Sequence, residues 1–131
     1  MNSPARRRSI EVPGTPHKAP IPTGCRIGDV VFSSAINGSD PATGEIPDDG
    51  EAQVRFAFVN LERFLVEAGV TAEDVIRMTV HLSDRSLRAA LDTEWLRLFP
   101  DADSRPARHA MNLQLNRNML IQLEIVAVGG H

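Results

Sequence analysis

Two ionisable residues stand where their surroundings give them little structural reason to be. Glu124 lies inside LIQLEIVAV, with both neighbours and nearly every second neighbour apolar. An ionised carboxylate in such a strand costs on the order of several kcal/mol unless it is paired, hydrogen-bonded or turned to water. Arg108, in SRPARHAMNLQL, enters a second strand-like run directly after a proline-stiffened turn. A guanidinium can grip a carboxylate through two parallel hydrogen bonds, and a partly desolvated glutamate can pass a proton or activate water. If the runs Ala107–Leu115 and Leu120–Val128 pair as a hairpin, the two side chains lie some rungs apart on one ribbon. They then border one pocket, within a subunit or across an interface. The alternative is a structural ion pair at a subunit contact, and spacing alone leaves both open.

The remaining polar residues say less. His17, His81, His109 and His131 have no metal-ligand spacing, so no metal centre is expected. His109 follows Arg108 and therefore points to the opposite side of its strand, as a packed or surface imidazole. Cys25 is the single cysteine, which excludes an internal disulfide and any multi-cysteine metal site. It reads as a small hydrophobe, and Ser33-Ser34 as locally bonded strand hydroxyls. There is no GxSxG, P-loop or GxGxxG to support the common hydrolase, nucleotide or dinucleotide readings.

The elements that must hold these residues follow from period and punctuation. MNSPARRRSIEVPGTP reads as a flexible tail over 1–16, with an edge strand near Ile10–Val12. CRI and VVFSSAI flank Gly28-Asp29 as a hairpin, and Asn37–Asp49 is a long Gly/Pro/Asp-rich loop. Asp48 and Glu51 have capping-box spacing ahead of an amphipathic helix through Val54, Ala57, Leu61, Phe64, Leu65 and Ala68, stopped by Gly69. Thr71–Asp74 forms a capped turn. In VIRMTVHL, Ile76, Met78, Val80 and Leu82 face one way and Val75, Arg77, Thr79 and His81 the other. A second helix, capped by Asp84, runs from about Ser86 to Phe99, where Pro100 ends it. The two strands carrying Arg108 and Glu124 close the chain. The order predicts an α+β fold with two helices on one face of a mixed sheet of about six strands. Leu120, Val126 and Val128 alternate with Ile121, Leu123, Ile125 and Ala127, so the last strand is apolar on both faces. Two helices cover one face, and a homo-oligomer is expected to cover the other.

The chain has 131 residues, 42% hydrophobic and 24% charged, with net charge −3. That is one domain's length, 17–131 after the tail, and too apolar for intrinsic disorder. The net charge gives no general attraction to nucleic acid or anionic lipid. No apolar run approaches the roughly 20 residues of a membrane span, and Arg6-Arg7-Arg8 is not followed by a signal-peptide core, so a cytoplasmic location is expected.

GDVVFSSA, DPATGEIP, QVRFAFVNLERFLVEAGVTAEDVIRMTVHLSD, EWLRLFP, RPAR and IQLEIVAV, taken in order, resemble the Rid (reactive intermediate deaminase, YjgF-like) family over residues 17–128. The resemblance implies a chorismate-mutase-like fold, a homotrimer with ligand clefts between subunits, and no cofactor. It also implies hydrolysis of reactive enamines and imines, such as 2-aminoacrylate and its imine, to 2-keto acids and ammonia. By the same resemblance Arg108 would hold the substrate carboxylate, and Glu124 would orient or activate the attacking water. The Ser34-Ala35 backbone would support the carboxylate, and Asp92 occupies the place of a helix asparagine. Ile21 stands where many members carry a tyrosine, and Ala110 where a cysteine is common. A larger enamine, taken by a pathway-specific deaminase or tautomerase, and a non-catalytic small-molecule-binding role are the alternatives. Ribonuclease activity ranks last on charge and on the 5% aromatic content.

Overall fold

The alternating and helical periods fold into seven strands and two α-helices, which a computed structural model describes over residues 5–14 and 19–130. In chain order they are β1 (Arg7–Ile10), β2 (Gly24–Ile27), β3 (Val30–Ser33), β4 (Ile36–Asn37), α1 (Gly50–Ala68), β5 (Val75–Leu82), α2 (Arg88–Leu98), β6 (Ala107–Asn112) and β7 (Ile121–Val128). The strands make one mixed sheet in the order β1-β2-β3-β7-β5-β6, with β4 also paired to β7. The α+β class stands, with seven strands where about six were expected. Both helices cover the same face. Its centre is Met78, Val80 and Leu82 of β5 with Ile121, Leu123, Ile125 and Ala127 of β7, packed under Phe58, Leu61 and Phe64 of α1 and Leu91 and Trp95 of α2.

The stretch expected as a flexible tail contributes to this sheet. β1 pairs antiparallel with β2 from Arg7↔Ile27 to Ile10↔Gly24, and Val12 is buried in the core. The strand therefore begins before the expected Ile10–Val12; residues 1–4 and 15–18 lie outside the described ones. Gly28, at φ 56, makes the tight turn between β2 and β3 that an ordinary side chain resists. Arg26 is buried and donates to the carbonyls of Gly28, Gly129, Gly130 and Ala68, tying the end of β7 to the C-terminus of α1.

Several local expectations shift. The cap of α1 is Asp49 rather than Asp48, its carboxylate accepting from the Glu51 amide at 3.3 Å. Gly69 ends that helix at φ 72, as its position predicts. In β5 a bulge between Val75 and Arg77 inserts one residue into the alternation. Val75 and Met78 both face the core, and Ile76, expected beside Met78, is 53% exposed. The second helix is split: a 3-10 turn over Arg85–Leu87 precedes α2, and Asp84 caps that turn through Ser86.

The largest correction concerns β6 and β7, which do not form a hairpin. β5 lies between them, antiparallel to β7 and parallel to β6, with α2 as the crossover. The connection that looked like a hairpin turn is longer, because β6 stops at Asn112 and β7 starts at Ile121. Leu115 within it is buried, and the buried Gln53 of α1 holds its far end by donating to Asn118 O at 2.9 Å and accepting from Leu120 N at 2.8 Å.

Candidate functional site

Pairing partners across a sheet point to the same face, so register assigns each site residue a side. Arg108 pairs with Met78, which in turn pairs with Ile125; both partners are core residues on the helix side. Glu124 pairs with Thr79 and alternates with buried Leu123 and Ile125, so it lies on the face without helices. The two residues that the sequence singled out are on opposite faces of one sheet. Two strand spacings, roughly 10 Å, also separate their backbones.

Arg108 is set up by what precedes it. Arg105 donates through Nε to Phe99 O at 2.8 Å and through a terminal nitrogen to Pro100 O at 3.2 Å, closing the turn after α2. β6 then starts at Ala107 and aims Arg108 back at α2. Its guanidinium donates to Asp92 Oδ1 at 2.9 Å and lies 4.9 Å above the Trp95 ring, which Phe99 braces edge-on at 4.7 Å. Stacking fixes the plane of the guanidinium and one carboxylate satisfies part of its donor fork. The rest can receive a second carboxylate. Ala110 follows two residues on, on the same side of β6.

The second group sits around the break between β3 and β4. β3 ends against Val126 and β4 resumes against Leu123, so Ser34-Ala35 spans the level of Glu124. Ser33 Oγ accepts from the Ile125 amide at 2.9 Å, and Ser34 Oγ donates to Pro22 O at 2.8 Å, next to Ile21. The Ser34 amide is committed to Thr23 O at 2.8 Å, which leaves the exposed Ala35 as the member of the pair to offer its backbone. Ile21 is itself 54% exposed. A cleft of about 220 Å³ opens beside Ala35, bordered by Asn37, Asp40, Asn60 and Arg63. Arg108 and Glu124 do not line it.

Sequence reasoning named Arg108, Asp92 and Ala110, and the structure brings Arg108 and Asp92 into contact. It also named Ser34 and Ala35, which form the β3–β4 break, Glu124, level with them on β7, and Ile21, next to the Pro22 carbonyl that Ser34 holds. It missed His81, whose Nδ1 lies 3.7 Å from Glu124 Oε2. The only signal was its place on the polar side of VIRMTVHL, and its neighbour across the sheet depends on a pairing the sequence does not show. His109 is exposed, on the side away from Arg108, as expected. Among the described residues no three His, Cys, Asp or Glu side chains group as metal ligands, and no helix is long and apolar enough to cross a membrane.

With this geometry in place, residues 17–129 match the family described as Endoribonuclease L-PSP. A RutC family protein of Haemophilus influenzae is 32% identical over 105 residues, 78% of this chain and 81% of that protein. TdcF of Escherichia coli K12, named as a candidate reactive intermediate deaminase, is 30% identical over 111 residues, 83% of this chain and 86% of its own. The crystal structure of E. coli TdcF with bound serine superposes with a TM-score of 0.83 at 28% identity, covering 94% of this chain and 99% of that one.

Proposed function

The chain belongs to the Rid (YjgF-like) family, and from that premise we propose that it hydrolyses reactive 2-imino acids and their enamine tautomers at sites shared between subunits of a homotrimer. Water adds to the C=N carbon, the C–N bond breaks, and the products are a 2-keto acid and ammonia. An imine is already electrophilic, so the protein's task is mainly orientation and delivery of water. Arg108 binds the substrate carboxylate and Glu124 takes a proton from the attacking water, returning it to the departing nitrogen.

The observation that carries this reading is the division of the site. Arg108 faces α2 at the β6 edge while Glu124 lies on the uncovered face, level with the Ser34-Ala35 break, so one chain holds two half-sites. The uncovered face also carries exposed Val30, Phe32 and Val128, an apolar surface for a second copy to bury. The serine held by E. coli TdcF is a small amino acid with the carboxylate that Arg108 suits. Exposed Ile21 favours imines with an apolar substituent over the smallest ones, which is the second reading: a larger, more dedicated substrate.

The test is a semicarbazide-trapping assay with imines generated from a panel of amino acids by an amino-acid oxidase. Arg108→Ala is expected to lower kcat/KM by about 100-fold or more, the value of a lost charge-assisted clamp. Arg108→Ala and Glu124→Ala chains, unfolded together and reassembled, should recover part of the activity that each lacks alone. Recovery fails if both residues serve from the same chain. A wild-type protein that is oligomeric yet suppresses no trapping overturns the deaminase reading in favour of ligand binding alone.

A further inference from the structure

His81 is on the uncovered face of β5, flanked by Gln122 of β7 and Met111 of β6. Its Nδ1 is sealed from solvent and, among the described residues, is the one buried side-chain nitrogen or oxygen without a hydrogen-bond partner. Buried polar atoms are nearly always satisfied, so such an atom calls for an explanation. The group it faces is the Glu124 carboxylate, whose Oε2 is 3.7 Å away, within ion-pair reach and a short side-chain rotation from a hydrogen bond. The other charged or titratable groups on this part of the face are Arg77 on β5 and His109 on β6, both exposed. A lone pair on Nδ1 facing a carboxylate is repulsive and an N–H is attractive, so the contact selects the Nδ1–H form.

We propose that His81 is a positioning residue for Glu124: its Nδ1–H holds Oε2, leaving Oε1 directed at the attacking water. The catalytic part rests on the deaminase reading; the pairing itself does not. A carboxylate with both oxygens free samples rotamers in which neither meets the water. A carboxylate held at one oxygen presents the other in a fixed direction, as the aspartate of a serine-protease triad does for its histidine. The glutamate is 44% exposed at its side chain and the histidine 16%, so the anchor is the more buried partner.

Two measurements test it. The first is long-range proton–nitrogen correlation on histidine-labelled protein above the titration range of imidazole. His81 is expected as the Nδ1–H tautomer in the wild type and as the ordinary Nε2–H tautomer in Glu124→Ala. An Nε2–H wild type, or an Nδ1–H form that survives Glu124→Ala, overturns the pairing whether or not the protein hydrolyses imines. The second is kinetic. His81→Phe, which keeps a flat ring, should lower kcat about tenfold with KM unchanged, the scale of one hydrogen bond to a charged group. His81→Asn, whose amide nitrogen reaches the Nδ1 position, should recover most of that loss. A His81→Phe protein with wild-type kcat, or no recovery by His81→Asn, overturns the positioning role. A wild type without activity refutes the deaminase reading and with it the positioning of water, while the tautomers still decide the pairing.

Discussion

Arg108 already has a carboxylate of its own. Asp92 accepts from one arm of the guanidinium at 2.9 Å, so an incoming anion meets a partly neutralised fork and a nearby negative charge. The Asp92 side chain is 49% exposed, which keeps this ion pair on the scale of ~1 kcal/mol or less. Asp92→Asn keeps an acceptor for Arg108 and removes the charge. It is expected to tighten binding of pyruvate, a 2-keto acid of the proposed product class, by about two- to fivefold in a calorimetric titration. No change, or weaker binding, would show that the carboxylate does not reach this guanidinium. The sequence named both residues, but placed Asp92 only by resemblance, and its contact with Arg108 needed α2 to be laid across the edge of β6.

At the scale of elements, the loops that lead into α1 and β7 hang from α1. Gln53 is 1% exposed; its amide donates to Pro47 O at 2.8 Å and to Asn118 O, and its carbonyl accepts from Leu120 N. Gln53→Leu fills the space and leaves those three backbone groups without it, so it should destabilise the protein by about 3 kcal/mol in a denaturant titration. A loss below about 1 kcal/mol would mean that water replaces all three bonds. The 3-10 turn that leads into α2 is capped by a titratable group, Asp84. The Ser86 hydroxyl and amide donate to Asp84 and hold its carboxyl below its ordinary value. A lowered folded value means that the cap contributes fully above the unfolded carboxyl range and loses its contribution as pH falls through the folded one. Asp84→Asn caps without titrating. Its melting temperature should therefore fall less steeply than that of the wild type as pH drops below about 4, where free aspartate protonates. Equal slopes would remove Asp84 from the acid response. Both helices and the β2–β3 turn were legible because caps, glycines and apolar spacing are local signals. The Ile76 bulge was not, since an inserted residue shows only against the partner strand.

Across the whole molecule the sheet has one face sealed by helices and one that carries Val30, Phe32 and Val128 in the open. The last strand's two-sided apolar pattern pointed to a cover on both faces, and the described residues supply only one. In the proposed trimer the second face is closed by other copies, which also bring Arg108 of one chain to Glu124 of the next. Phe32→Glu places a charge in the middle of that surface. It is expected to give a folded monomer by sedimentation equilibrium and to abolish imine hydrolysis, since neither half-site works alone. A Phe32→Glu protein with the wild-type mass would show that this face is not where copies meet.

The sequence by itself determined the α+β class, the helices, the turn at Gly28 and the suspicion that fell on Arg108 and Glu124. Each of these is a local property: a period, a cap, a turn residue, or a charge where neighbours are apolar. It placed those two residues on one hairpin because they lie on consecutive strands, and the tertiary structure put β5 between them. Strand order is set by which apolar faces can be buried together and by the crossover that α2 permits, neither of which is encoded at the spacing of neighbouring residues. That same choice turned Arg108 toward the helices, Glu124 away from them, and His81 toward Glu124.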